Sequence, residues 1–311
     1  EDESLLQCML EFLGEDREIR SISDSELERF KQARMRGEWG PSRQRVGART
    51  VAKHLVALRT MLNWATRHRT ARGEPLLQWN PLSGLRIPVE KNPKRPVETY
   101  DRFLKLMEIA GEVDWRLPLA LALAEGTGQR IGSILQLRRS DVDLDRLPFG
   151  RVVFRAENQK TGFAHWVPLS EECRTQVLTH LRKLPADEEW LFPAEQKTGA
   201  AVHHWVLSKR LREAYERAEL DTLPGGLWHP WRRKWATERK HMPLRDVAAA
   251  GGWKDPTTLL KCYQQPDEDT IDKVVLTAPK LRSRPVRQLE ATPPATPPNA
   301  EGAGLRDRKV G

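Results

Sequence analysis

Trp228-His229-Pro230-Trp231-Arg232-Arg233 places an imidazole and a guanidinium three residues apart at the start of a helix. Residues at i and i+3 share a helix face. Pro230 suits the first turn, where its missing N–H has no intrahelical acceptor to lose. His229 and Arg232 therefore point at one small target. The helix runs over 229–240 and is followed by Pro243 to Ala250 and a Gly251-Gly252 break. Asp255 then caps a short helix that carries Leu259, Leu260 and Tyr263.

Upstream, helices are expected at 98–110, 115–125, 170–183 and 203–219. Gly126-Thr127-Gly128-Gln129-Arg130 leads into an apolar helical face, Ile131, Ile134, Leu135 and Leu137. Arg130 thus stands where a glycine-rich turn enters a helix, beside N–H groups that favour anions. From 151 to 169 the period changes to two, with Val152 and Phe154, then Phe163, His165 and Val167. That is a hairpin with Lys160 at or near its turn, inside Asn158-Gln159-Lys160-Thr161-Gly162.

Residues 86–97 hold three prolines and four cations with little to bury, a linker composition. Before it, 4–13 and 23–36 read as short helices with Ser4 and Ser23 as N-caps. Val51, Leu55, Leu58, Leu62 and Ala65 recur at helical spacing, flanked by Arg49, Lys53, Arg59, Arg67 and Arg69. Past Ala278 the chain turns Arg-, Pro-, Thr- and Ala-rich, so 283–311 is expected to be disordered. The fold class is mainly α with a small β hairpin or sheet. The expected domains are 1–88, a linker at 89–97, 98–282, and the tail.

The chain has 311 residues and a formal net charge of +9, and this basic balance favours a polyanionic partner. Its three cysteines, Cys8, Cys173 and Cys262, are far apart and odd in number, which argues against a disulfide framework or a CxxC zinc site. His203 and His204 have no ligand at metal spacing. Leu117 to Ala124, the longest apolar run, is too short to cross a bilayer, and no signal-peptide pattern is visible. The chain opens on Glu1, which leaves room for a preceding segment.

Breaking a phosphodiester needs an in-line nucleophile, donors for the non-bridging oxygens and an acid for the leaving alkoxide. Arg130 and Arg232 are the expected clamp, since planar guanidinium forks match phosphate. Lys160 is placed to protonate the leaving 5′ oxygen, and His229 to accept or relay the nucleophile's proton. Of the three tyrosines, Tyr100 borders the linker and Tyr215 lies among acidic neighbours, leaving Tyr263 as the nucleophile. A phenol of ordinary pKa about 10 needs neighbouring cations and a base to attack.

This ordered set resembles the tyrosine recombinases, the phage integrase family. The family's first box is similar to Gly126 through Arg130 and on to Leu137-Arg138-Arg139-Ser140-Asp141-Val142-Asp143. His229 to Arg232 matches its His-x-x-Arg box, Gly252-Trp253 its third position, Tyr263 its nucleophile and Lys160 its hairpin lysine. Ser133 stands where the family commonly has an acidic residue, and Trp231 where it has a smaller apolar one. Trp253 replaces the commoner histidine, so it can donate a hydrogen bond but not shuttle a proton.

The resemblance implies an N-terminal helical core-binding domain and an integrase-type catalytic domain, closed around duplex recombination sites. It implies a 3′-phosphotyrosyl intermediate, strand exchange in a homotetramer, and no metal or other cofactor. Candidate DNA contacts are Arg49, Lys53, Arg59, Arg67, Lys94 and Arg95. Accessory DNA-bending proteins are candidate partners, and a cytoplasmic, nucleoid-associated setting in a bacterium, phage or mobile element is expected. Residues 267–281, with Ile271, Val274, Val275 and Leu276, would pack on a neighbouring protomer or back on the same chain. A catalytically silent DNA-binding relative and a type IB topoisomerase-like enzyme are the competing readings.

Overall fold

The computed structural model describes residues 2–88, 95–197, 199–266 and 268–276. Two compact units emerge. One is Glu1–Val97 with Leu223–Gly226, the other Glu98–Thr222 with the residues from Leu227 onward.

The first unit holds α1 (Asp2–Leu13), α2 (Asp24–Arg36) and α3 (Ala48–Arg67). Helix α1 starts two residues earlier than expected, so Ser4 sits inside its first turn and does not cap it. Ser23 does cap α2. Its hydroxyl accepts the Glu26 N–H while the Glu26 carboxylate accepts the Ser23 N–H. Val51, Leu55, Leu58 and Leu62 of α3 are buried against Cys8, Met9, Leu27 and Phe30. The same spacing leaves Arg49, Lys53, Val56 and Trp64 exposed along another face of α3.

The second unit is built around a hydrophobic helix. Its elements begin with α4 (Tyr100–Val113), α5 (Leu117–Thr127) and α6 (Ile131–Leu135). Next come β1 (Val142–Asp143), β2 (Arg151–Phe154) and β3 (His165–Pro168). The rest is α7 (Glu171–Lys183), α8 (His204–Arg217), α9 (His229–Glu238), α10 (Leu244–Ala250), α11 (Pro256–Cys262) and α12 (Glu268–Leu276). Helix α5 is buried from Leu119 through Ala124 on every side, and α4, α7 and α9 pack against it. A helix apolar all round belongs in a core. Helix α9 is nearly as enclosed, with Pro230 through Thr237 all buried. Its buried Lys234 is neutralised by Glu125 at 2.6 Å and Glu238 at 2.7 Å, which ties α9 to α5.

The strands form one antiparallel sheet in the order β1-β2-β3, with Val152 opposite Val167 and Phe154 opposite His165. Mainly helical with a small sheet is the class expected from the sequence. Two details differ. Strand β1 is too short to show a period of its own, and Phe163 lies outside β3 with its ring exposed. Residues 89–94, with the candidate DNA contact Lys94, and the tail expected from 283 lie outside the described residues. No helix among the described residues is long and apolar enough to cross a membrane.

Candidate active site

Arg130 is the residue before α6, at the exit of the Gly126-Thr127-Gly128 turn. Gly128 is required there twice over. Its φ is +62°, and a Cβ would lie 2.5 Å from the Trp235 ring. The close approach of turn and α9 lets Arg232 Nη1 donate to the Gly128 carbonyl. His229 is the first residue of α9, one turn from Arg232, as its spacing predicts.

Ser133 of α6 donates to the Asn158 carbonyl at 2.9 Å, and so secures the segment leading to Lys160. The serine that stands in place of an acidic residue thus positions the lysine turn. Lys160 is exposed at that turn, and Gly162 follows at φ +70°. Arg130, Lys160, His229 and Arg232 line one cleft of about 450 Å³, together with His204 of α8. No carboxylate lines it among the described residues. A cleft with three fixed cations and no anion is suited to a phosphodiester.

Trp253 and Tyr263 complete the set from the other side of Arg232. The Arg232 guanidinium carbon stands 3.5 Å from the centre of the Trp253 ring and 5.3 Å from that of Tyr263. The two rings meet edge to face at 4.9 Å. Asp255 caps α11 by accepting the Thr257 N–H at 2.8 Å, and Tyr263 ends that helix. The Tyr263 carbonyl accepts from the Thr237 hydroxyl of α9 at 3.1 Å, which pins the residue to the helix that carries His229 and Arg232.

The electrostatics are those of buried, incompletely hydrogen-bonded cations. Arg232 is 1% exposed, and its Nε and Nη2 have no hydrogen-bond partner among the described residues. Nor do Arg130 Nη1 and Trp253 Nε1. Burial pushes the Arg232 guanidinium down to about 9, the Arg130 charge adds to this, and Tyr263 opposes it. A guanidinium nevertheless stays charged near neutral pH.

The other tyrosines are elsewhere. Tyr215 is buried and donates to Glu98, and burial followed by the Glu98 charge raises its phenol far above the usual range. Tyr100 is exposed and stacks on Phe103. The bulky Trp231 is fully buried and packs on Phe103 at 5.9 Å, a core role. Arg49 and Lys53 line an apolar groove on α3 in the first unit, Arg67 is exposed, and Arg59 and Arg95 are half-buried.

Three neighbours of the site were not expected from the sequence: His204, Gln129 and His165. His204 lines the cleft because it opens α8. Gln129 is buried one residue before Arg130. His165 opens β3 and stacks on Phe154 at 5.4 Å. Its place in the period-two pattern was the one available signal. No group of three or more His, Cys, Asp or Glu among the described residues could hold a metal ion.

No curated protein matches the chain in sequence. Among solved structures it is similar to a lambda integrase dimer bound to a COC′ core site, at 18% identity and TM-score 0.65 over 86% of this chain and 72% of that one. It is also similar to XerH bound to palindromic difH substrate in a post-cleavage complex, at 18% identity and TM-score 0.64 over 86% and 74%. The Tn1549 transposon integrase in complex with a circular intermediate DNA gives 14% identity and TM-score 0.64 over 87% and 91%. At these identities the likeness is one of fold. The family model described as "Phage integrase family" matches residues 97–269, more than half of the chain and every residue of the cleft and its two flanking rings. The chain belongs to the phage integrase family.

Proposed function

We propose that this chain, as a tyrosine-type site-specific DNA recombinase, cuts and rejoins DNA strands with Tyr263 as its nucleophile. The observation that carries the assignment is Arg232: buried, with two N–H-bearing nitrogens lacking partners, and set between a cationic cleft and the Tyr263 ring.

Arg130 and Arg232 hold the non-bridging oxygens of the scissile phosphate, and Trp253 Nε1 donates to the same group. Preorganised donors of this kind are each commonly worth about 10²–10³ in rate. The Tyr263 oxygen attacks phosphorus in line and gives up its proton to His229. The P–O5′ bond breaks as the P–O–Tyr bond forms, and Lys160 protonates the departing 5′ oxygen. The products are a 3′-phosphotyrosine and a 5′-hydroxyl. Attack by a 5′-hydroxyl from the partner strand reverses the step, so rejoining needs no external energy.

A homotetramer on paired DNA sites is the assembly in which such exchange would proceed. The DNA-bound dimers and the lambda integrase tetramer on a Holliday junction support this reading by fold. Helix α12 is its candidate connector, with Ile271, Val274, Val275 and Leu276 exposed. We read the first unit as the core-binding domain, with the cationic flank of α3 on the DNA backbone. Deletion from residue 267 should leave strand cleavage intact and remove synapsis of two sites. Loss of cleavage with it would place α12 on its own protomer.

The chemistry is tested with suicide DNA substrates that trap the cleaved state. Wild-type protein should form a covalent protein–DNA complex, and Tyr263→Phe should form none while binding DNA equally. Capture that survives the substitution would remove Tyr263 from the role.

A further inference from the structure

Two buried acceptors converge behind the phosphate clamp. The position a Cβ would take on Gly252 is 3.2 Å from His165 Nε2 and 3.2 Å from Gln129 Oε1. Neither atom has a hydrogen-bond partner among the described residues. Their polarity is fixed from outside. Gln129 Nε2 donates to the Ala250 carbonyl at 2.8 Å, which turns the amide oxygen inward. His165 hydrogen-bonds the Phe163 backbone through its other nitrogen. In the neutral ring this leaves the proton on Nδ1 and a lone pair on Nε2.

Buried acceptors are costly without a donor. A donor at hand is Arg232 Nε, buried and lacking a partner among the described residues, on the side chain whose charge acts on His165. One water reconciles them. Its two hydrogens satisfy the two acceptors and a lone pair accepts from Arg232 Nε, within the two to four polar partners usual for a buried water.

We propose that His165 and Gln129 jointly hold a structural water that orients Arg232, making His165 a positioning residue for the phosphate clamp. The role in cleavage rests on the recombinase reading above. The device works only while His165 is neutral, because an imidazolium would donate where the water needs an acceptor. Burial, aided by the Arg232 charge, lowers the readiness of His165 to protonate, against the Phe163 hydrogen bond. Arg232 on α9 is the charge that acts on the ring. Phe154 on β2 and the Gly251–Gly252 turn present no charge to it.

The test compares His165→Leu with His165→Gln, which keeps an acceptor but cannot titrate. Covalent capture on a suicide substrate should fall roughly 10- to 100-fold in His165→Leu, with DNA binding unchanged. His165→Gln should recover most of the rate at neutral pH and show a shallower acid limb than wild type. A wild-type rate in His165→Leu, or an unchanged acid limb in His165→Gln, would overturn the proposal. A second measurement needs no turnover. Calorimetric binding of inorganic sulfate at neutral pH, after subtracting the binding left in Arg232→Met, should be several-fold weaker in His165→Leu than in wild type and be recovered in His165→Gln. Equal sulfate affinity in all forms at that pH would also overturn it. Failure of wild type to capture DNA would count against the recombinase reading alone, leaving the sulfate result to decide the clamp.

Discussion

Arg232 shows how a residue proposed to clamp phosphate works against stability. Burying a guanidinium costs several kcal/mol unless its N–H groups are met, and here one carbonyl, the Tyr263 phenol and two aromatic rings meet only part of it. Replacement by a flexible apolar side chain of similar length removes the charge and fills the space. Arg232→Met should therefore raise the stability of the folded chain by about 1–3 kcal/mol while abolishing covalent capture. Chemical denaturation measures this, and a clear loss of stability would mean the ring and carbonyl contacts outweigh desolvation. The pairing of His229 with Arg232 was legible in the sequence because one helical turn fixes it. Lys160, Trp253 and Tyr263 were legible only as an ordered set, since tertiary packing brings them together. His165 and Gln129 were not legible: nothing local says that β3 and the α5–α6 turn meet at Gly252.

Among the elements, α7 carries a pH dependence that its sequence conceals. His180 looks like a polar position near the end of a charged helix, yet it is buried, stacked on Trp115 and hydrogen-bonded to the Leu191 carbonyl at 2.6 Å. Burial pushes it down to about 4 from an ordinary 6.5, against the pull of that carbonyl. A histidine with a depressed folded pKa binds its proton more readily when unfolded. Its contribution is thus complete above pH 6.5 and is lost as pH falls toward 4. At 1.36 kcal/mol per unit the loss approaches about 3 kcal/mol at the lower end. His180→Gln should flatten that part of the stability curve, as read by denaturant midpoints between pH 4.5 and 7. A slope identical to wild type would show that the ring is not held neutral. Caps such as Ser23 and Asp255 were readable because their partners lie within a few residues. The two-residue β1 and the burial of His180 were not, because both depend on distant chain.

For the whole molecule, the proposed function assigns separate tasks to the excess of nine positive charges and to the cleft. Under the proposed function, cations along α3 would neutralise phosphates wherever the duplex offers them, whereas Arg130 and Arg232 would act on the one that is cut. Replacing Arg49, Lys53, Arg59 and Arg67 by glutamine should weaken binding to matched and random DNA alike. For every phosphate that is no longer neutralised, the salt slope of log K should fall by roughly one. Cleavage of DNA already bound, followed in single turnover at saturating protein, should stay near the wild-type rate. Arg130→Gln should do the reverse, leaving the salt slope almost unchanged and slowing cleavage by about 10²-fold or more. Both variants must be compared at the same ionic strength, because electrostatic binding shifts by orders of magnitude between dilute and physiological salt. If the α3 substitutions slowed cleavage of bound DNA as much as Arg130→Gln did, those cations would be positioning the scissile phosphate as well as holding the duplex. If they left the salt slope untouched, the DNA would be held by another face, and the cationic flank of α3 would be ordinary solvated surface.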